Sequence, residues 1–271
     1  MRAPAPAKIN LALVVGPLRR DGKHELLTVY QRIGLADRID VEPAERMQVD
    51  GFPGDTLVRD ALERLAAHAA VERRWHATIE KHIPVAAGLA GGSSDAATAL
   101  RLANATLAEP VPPEELHDLA AGLGADVPYF LADGPRLGSS DGTILAPLDL
   151  PQDFWIVLAL PHHADKQSTA GVYAAFDARD GAQGWDERCA ALLDALADVR
   201  RPRDLAALPP NDLASSPLAA ELRALGAFRA DVSGAGPIVY GLFHHRAAAQ
   251  AAQRALKRVA RTWLTAPAWY G

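Results

Sequence analysis

Lys8 and Asn10 alternate with Ile9 and Leu11, so on an extended strand the ammonium and the amide share one face. That face either meets solvent at a strand edge or offers a positive charge and an amide to a substrate hydroxyl. A second stretch, Pro84-Val85-Ala86-Ala87-Gly88-Leu89-Ala90-Gly91-Gly92-Ser93-Ser94, leads into Asp95 and an alanine-rich run. Glycines there let backbone N–H groups approach a ligand where a helix N-terminus presents free donors, which suits a phosphate chain. The same residues also suit a flexible connection with a Ser/Asp helix cap. The stretch is not a Walker A loop, since no Gly-Lys-Ser/Thr closes it, and it lacks the G-x-G-x-x-G dinucleotide spacing. Asp126, in Gly124-Ala125-Asp126-Val127-Pro128, is either a turn former bonding its own backbone or a carboxylate that takes the proton of an attacking hydroxyl. Asp231-Val232-Ser233-Gly234-Ala235-Gly236-Pro237 is a hairpin turn or a further backbone cradle.

The elements around these residues follow from periodicity. Residues 7–15 and 29–41 are expected as strands, the second with a turn near Ala36-Asp37-Arg38. Leu57, Ala61, Leu62 and Leu65 predict a helix over 55–70, and Trp75, Ala77 and Ile79 predict a half-buried strand. The glycine-rich stretch therefore joins a strand to a helix, which is expected to begin at Ser93-Ser94-Asp95. Pro112-Pro113-Glu114-Glu115 opens another helix that Gly124 stops. Later expectations are a strand at 155–160, helices near 169–178, 185–198 and 216–225, and paired strands at 227–232 and 237–243. A last helix over about 246–263 would carry Leu256, Val259 and Trp263 inward. Strands and helices mix without regular βαβ alternation, which favours an α+β fold. Pro147, Asp149 and Pro151 mark a boundary, giving domains of residues 1–148 and 149–271.

Composition narrows the function. There are 28 Lys+Arg against 33 Asp+Glu and a formal charge of −5, the wrong balance for a protein that neutralises nucleic-acid phosphates. Arg254, Lys257, Arg258 and Arg261 near the end are better explained as a solvated face. One cysteine, Cys189, excludes an internal disulfide framework and a multi-thiolate metal site. The apolar run Ile9–Val15 is not expected to be a signal segment, because Asn10 interrupts it and Arg19-Arg20-Asp21-Gly22 follows. No apolar run approaches the ~20 residues of a membrane span. A cytoplasmic protein acting on small molecules is expected.

Taken in order, Pro6-Ala7-Lys8-Ile9-Asn10-Leu11, Arg19-Arg20-Asp21-Gly22-Lys23-His24-Glu25-Leu26, Pro84 to Ala97, Gly124 to Phe130, Asn211-Asp212-Leu213 and Ser233 to Pro237 resemble the GHMP kinases. The likeness spans nearly the whole chain. It implies a two-domain α+β fold with ATP and substrate in the cleft between the domains, and ATP as phosphoryl donor with Mg²⁺. By resemblance, Asp126 is the catalytic base, Lys8 stabilises the developing alkoxide, and Pro84 to Ser94 wrap the triphosphate. Ser94 is the hydroxyl expected near the metal. The pattern is nearest to members that phosphorylate the 2-hydroxyl of a cytidine-diphosphate-linked methylerythritol in the non-mevalonate isoprenoid route. It assigns Asn10, His24, Thr169 and Tyr173 to that substrate, with His24 on the cytosine edge and Tyr173 stacked on the base. A family member acting on a mevalonate- or homoserine-like alcohol, or a non-catalytic nucleotide binder, is the alternative; retention of both Lys8 and Asp126 argues against the latter. Lys23 stands where the family has Tyr, Ala90 and Ala235 replace a glycine and a serine, and Gly138-Ser139-Ser140-Asp141-Gly142 replaces a Gly-Arg-Gly-Glu stretch.

Overall fold

The computed structural model describes residues 1–54, 56–163 and 168–268. The chain opens with two long antiparallel strands, β1 (Arg2–Leu18) and β2 (His24–Ala44). β3 (Gln48–Asp50), α1 (Leu57–His68), β4 (Arg74–Glu80), α2 (Gly91–Asn104) and α3 (Pro113–Ala121) follow. A 3-10 turn over Pro128–Leu131 leads into the hairpin β5 (Arg136–Ser139) and β6 (Ile144–Pro147). The second half holds β7 (Trp155–Pro161), α4 (Thr169–Asp177), α5 (Trp185–Ala197), α6 (Pro217–Ala224), β8 (Arg229–Val232), β9 (Val239–Phe243), α7 (Arg246–Leu256) and β10 (Ala260–Thr265).

Two sheets result, as an α+β fold requires. One has six strands in the order β3-β4-β2-β5-β6, with β1 paired to β2; the other runs β10-β7-β9-β8. Helices α1, α2 and α3 cover one face of the first sheet, packing on Ile39, Val41, Trp75 and Ile79. The alanines of α2 (Ala96, Ala97, Ala99 and Ala103), all fully buried, let that helix lie close to the strands. β7 is buried on both faces, which explains its unbroken apolar run. Ile156 and Leu158 point into a core shared with Ala7, Ile9 and Leu11 of β1. Val157 and Ala159 pack with Ala249, Ala252 and Leu256 of α7.

β1 changes faces midway. Its pairing passes from Asn10↔Tyr30 to Ala12↔Val29, leaving Leu11 as an extra residue, and such a bulge reverses the alternation of side chains. Ahead of it Ala7, Ile9 and Leu11 enter the shared core, and beyond it Ala12 and Val14 do so. The face that carries Lys8 and Asn10 thus continues into Leu13 and Val15, which pack against Val172 and Phe176 of α4.

Three expectations are corrected. There is no turn at Ala36-Asp37-Arg38: β2 runs through, with an irregularity where Pro6↔Ala36 gives way to Ala7↔Ile33. α2 begins at Gly91, two residues before Ser93. The last helix stops at Leu256, and Ala260–Thr265 forms β10, antiparallel to β7, with Trp263 opposite Leu158. Val259 is exposed rather than inward. The β-branched and aromatic residues Thr262, Trp263 and Thr265 favour a strand once an open edge is available, and tertiary pairing overrides the helical continuation. Residue 55, the expected start of α1, lies outside the described residues.

Candidate active site

Lys8 and Asn10 do share a face of β1, and both are buried. Lys8 Nζ donates to Asn10 Oδ1 at 2.7 Å and lies 3.5 Å from Asp126 Oδ2. Asn10 Nδ2 in turn donates to Thr28 Oγ1 at 2.8 Å, and that hydroxyl donates to Ala12 O at 2.8 Å. The amide is therefore held in one orientation, with its oxygen toward the ammonium. Asp126 follows α3 and precedes the 3-10 turn; its side chain is 31% exposed where that of Lys8 is 5% exposed. Among the described residues its carboxylate contacts Lys8 and accepts no backbone N–H, so it is not a self-bonded turn former. The Tyr30 ring lies 5.4 Å from Lys8 Nζ. Burial, reinforced by the nearby charge of Asp126, holds the Tyr30 hydroxyl well above the usual phenol range, so it stays protonated.

The glycine-rich loop joins β4 to α2, as expected. Its last residue, Ala90, is the N-cap in a left-handed conformation (φ 53°) with no side chain capping the helix, so Ser93 and Asp95 are not caps. Among the described residues, no side chain accepts from the first-turn N–H groups of α2. Ser94 Oγ is fully buried and has no hydrogen-bond partner among the described residues. The loop is bound on both sides. Lys8 N donates to Leu89 O at 3.1 Å, and Ile238 N donates to Ala87 O at 3.2 Å. Ser233 Oγ donates to Gly88 O at 2.9 Å and accepts from Asn10 N at 3.3 Å. Gly88 has φ +87°, and a Cβ there would sit 2.3 Å from Ser233 O, so no larger residue fits. The Ser233–Pro237 segment is thus a brace for the loop. Asn211 Nδ2 secures it by donating to Val232 O at 3.0 Å and Gly234 O at 2.7 Å.

Two residues that sequence reasoning missed pin the loop's ends. Lys81 Nζ lies 2.5 Å from Asp37 Oδ2 and 2.7 Å from Asp95 Oδ2, while Asp37 Oδ1 accepts from His82 N at 2.5 Å and Ile83 N at 2.8 Å. The bridge joins a residue just before the loop to one just after it. Burial lifts Asp95 above the usual carboxylate range; Lys81 opposes and Asp37 adds to the rise. In the sequence Asp37 looks like a turn residue, and only the fold reveals it as a buried acceptor. Thr28 and Tyr30 were equally silent, because their approach to Asn10 depends on strand register, which sets Tyr30 opposite Asn10 and Thr28 opposite Leu13.

The residues expected at the substrate lie around α4. His24, at the start of β2, is buried and stacks on Tyr173, with centroids 4.9 Å apart and planes at 28°. Its Nε2 lies 2.8 Å from Asp177 Oδ1. Burial, with the charge of Asp126 adding, raises the Tyr173 hydroxyl to about 12. Thr169 is exposed at the first turn of α4, which Ser168 caps by accepting from Gly171 N at 3.1 Å; it makes no hydrogen bond to the other site residues described. A cavity of 470 Å³ is lined by Asp177, Asp180, Gly181, Ala182 and Gln183; neither Lys8 nor Asp126 lines it.

Two departures from the family pattern meet. Lys23 Nζ lies 2.6 Å from Asp141 Oδ2, and Arg19 donates to Ser140 Oγ, tying the β1–β2 turn to the β5–β6 turn. Burial alone would raise Asp141, but hydrogen bonds from Lys23 and Thr143 hold it down at about 2.

Comparison with known proteins adds to this geometry. Residues 56–134 match the model for the GHMP kinases N terminal domain, and residues 209–262 match that for GHMP kinases C terminal. The 4-diphosphocytidyl-2-C-methyl-D-erythritol kinase of Anaeromyxobacter sp. (strain Fw109-5) is 40% identical over 268 residues, covering 93% of this chain and 85% of that protein. Its counterpart in Mycolicibacterium smegmatis is 39% identical over 254 residues, covering 86% and 78%. A crystal structure of 4-(cytidine 5'-diphospho)-2C-methyl-D-erythritol kinase superposes with a TM-score of 0.80 at 32% identity, covering 99% of this chain and 100% of that one. A mevalonate kinase structure matches at a TM-score of 0.73 but only 11% identity over 98% of this chain and 99% of that one, a likeness of fold alone. With relatives of 39–40% identity covered to 78–85% of their length and a two-sheet fold that superposes on all of such a kinase, the chain is a small-molecule kinase and belongs to the 4-diphosphocytidyl-2-C-methyl-D-erythritol kinase family of the GHMP kinases.

Proposed function

We propose that this chain transfers the γ-phosphoryl group of ATP to the 2-hydroxyl of 4-diphosphocytidyl-2-C-methyl-D-erythritol, a step of the non-mevalonate isoprenoid route. The observation that carries the reading is the dual engagement of Lys8: its side chain lies 3.5 Å from Asp126 and its backbone donates to the glycine-rich loop at Leu89. Asp126 takes the proton of the 2-hydroxyl as the oxygen–phosphorus bond forms and the bond to ADP breaks. Lys8, oriented by Asn10, offsets the charge that develops on the attacking oxygen. Pro84 to Ser94 receive the triphosphate on backbone N–H groups at the N-terminus of α2. Mg²⁺ would neutralise phosphate charge, and the buried, unpartnered hydroxyl of Ser94 suits an ion that takes one or two protein oxygens and keeps several waters. Asn10, His24, Thr169 and Tyr173 hold the cytidine-linked alcohol. The division between the two family domains is set at residues 148 and 149, where β6 gives way to the connection into β7. ATP and a lone reduced cysteine suit a cytoplasmic reaction with no nucleic acid or membrane partner.

The test is ADP release with ATP, Mg²⁺ and a panel of alcohols. Turnover is expected with the cytidine-linked methylerythritol and not with mevalonate or homoserine. Turnover with either of those alone would reassign the substrate, and tight ATP binding with no turnover on any alcohol would leave a nucleotide-binding homologue.

A further inference from the structure

Asp177 lies outside the Lys8–Asp126 pair, and its carboxylate faces a ring nitrogen of His24. Asp177 Oδ1 lies 2.8 Å from His24 Nε2, and an ionised carboxylate only accepts hydrogen bonds. The proton between them therefore belongs to Nε2. A neutral imidazole has a single N–H, so Nδ1 is left with a lone pair. Nδ1 has no hydrogen-bond partner among the described residues. The ring cannot easily exchange its nitrogens, since it stacks on Tyr173 and meets Phe176 edge-on, with centroids 5.9 Å apart and planes at 87°.

The stability of α4 by itself does not explain a carboxylate at this position. Asp177 is the last residue of α4 and its side chain is 50% exposed. A negative charge there opposes the helix dipole, which favours cations at a C-terminus. A neutral residue would serve α4 at least as well.

We propose that Asp177 sets the base specificity of this kinase by fixing His24 as the Nε2–H tautomer, so that Nδ1 accepts a hydrogen bond from the exocyclic amine of cytosine. Uracil offers a carbonyl at the same ring position, and two acceptors then face each other. The inference rests on the cytidine-linked substrate proposed above and adds the residue that selects it. Asp177 acts through His24 and is a positioning residue.

Four measurements on the full chain at pH 8, with wild type and Asp177→Asn, test it. Asn keeps the size of the side chain but can either accept from or donate to Nε2, so it no longer dictates the tautomer. Nitrogen-15 NMR of His24, assigned by loss of its signals in His24→Gln, should show protonated Nε2 and bare Nδ1 in wild type and a mixture in the variant. A wild-type Nδ1–H tautomer overturns the inference whatever the enzyme phosphorylates. The ratio of kcat/KM for the cytidine- over the uridine-linked alcohol should be roughly 10 to 100 in wild type, the value of one well-placed hydrogen bond, and within about threefold of unity in Asp177→Asn. The change should appear chiefly in KM, and the variant should melt no lower than wild type. An unchanged ratio in a folded variant overturns the inference. Calorimetry with CDP and UDP separates this result from the substrate assignment. If neither alcohol is phosphorylated but CDP is preferred and the preference is lost in Asp177→Asn, the function fails and the role of Asp177 stands. Equal affinities in wild type overturn that role.

Discussion

Lys8 is held by partners of three kinds: the amide oxygen of Asn10, the carboxylate of Asp126 and the face of Tyr30. An ammonium so enclosed is positioned before any ligand arrives, which is what electrostatic stabilisation of a developing charge requires. Asp126→Asn keeps the shape of the site and removes the proton acceptor. Turnover should fall roughly 10²- to 10⁴-fold while ATP affinity, measured by calorimetry, hardly changes; wild-type turnover with weakened ATP binding would reduce Asp126 to a loop former. Thr28→Val probes the next link, because its hydroxyl is what orients the Asn10 amide. The variant leaves the buried Asn10 Nδ2 unpaired and should cost about 1–3 kcal/mol of stability, read by denaturant unfolding. These residues divide by how they could be seen in advance. The alternation of Lys8 and Asn10 shows in four consecutive letters, whereas Thr28, Tyr30, Asp37 and Lys81 acquire meaning only from register and from the approach of distant segments.

The loop from Pro84 to Ala90 stores conformational cost at its alanines. Ala86 and Ala90 adopt φ of 54° and 53°, where a Cβ is disfavoured by about 1–2 kcal/mol. Ala90→Gly should raise the melting temperature, by up to about 1 kcal/mol of stability once the added freedom of the unfolded chain is deducted, and should preserve ATP binding. Gly88→Ala should do the reverse, since its Cβ would collide with the backbone of the Ser233 brace; a folded variant with undiminished ATP affinity would show that the brace does not shape the loop. At the opposite end of the hairpin, the Lys23–Asp141 contact joins two turns. Asp141 is held at about 2, below its ordinary 3.8, so its contribution is complete above the higher value and disappears as the pH falls through the lower one. Lys23→Ala should therefore cost about 0.5–1 kcal/mol at pH 7, modest because Lys23 is half exposed, and the difference from wild type should narrow below about pH 4. Most elements were legible in advance: α1, β4 and α3 each bury one repeating face, and β7 and β9 show as short unbroken apolar runs. β10 was not, because an alanine- and arginine-rich run leads into it and only the free edge of β7 makes a strand of it. The face of β1 beyond residue 11 was also hidden, since a single unpaired residue reverses the pattern.

At the scale of the whole molecule, the two sheets are joined through one core, in which fully buried Ile9 of β1 packs with Ile156, Leu158 and Tyr240 of the second sheet. Ile9→Ala should cost about 2–5 kcal/mol, and calorimetry should show one cooperative transition for both halves; two separate transitions would mean that the shared core does not couple them. The same strand carries the bulge at Leu11, whose effect on the faces of β1 has a metric side. Lys8 with Asp126 lies at one station along the strand and the seat of α4, beginning at Leu13, at another. At about 3.3 Å per residue, five steps span at most about 16 Å, and Tyr173 reaches back far enough for the charge of Asp126 to act on its hydroxyl. Under the proposed function, a base held at α4 and an alcohol held at Lys8 must be joined by a linker whose length matches this spacing. A cytidine-linked alcohol with one phosphate instead of two would come up short and should dock at the base end without reacting, which makes linker length, alongside base identity, a second gauge of the substrate.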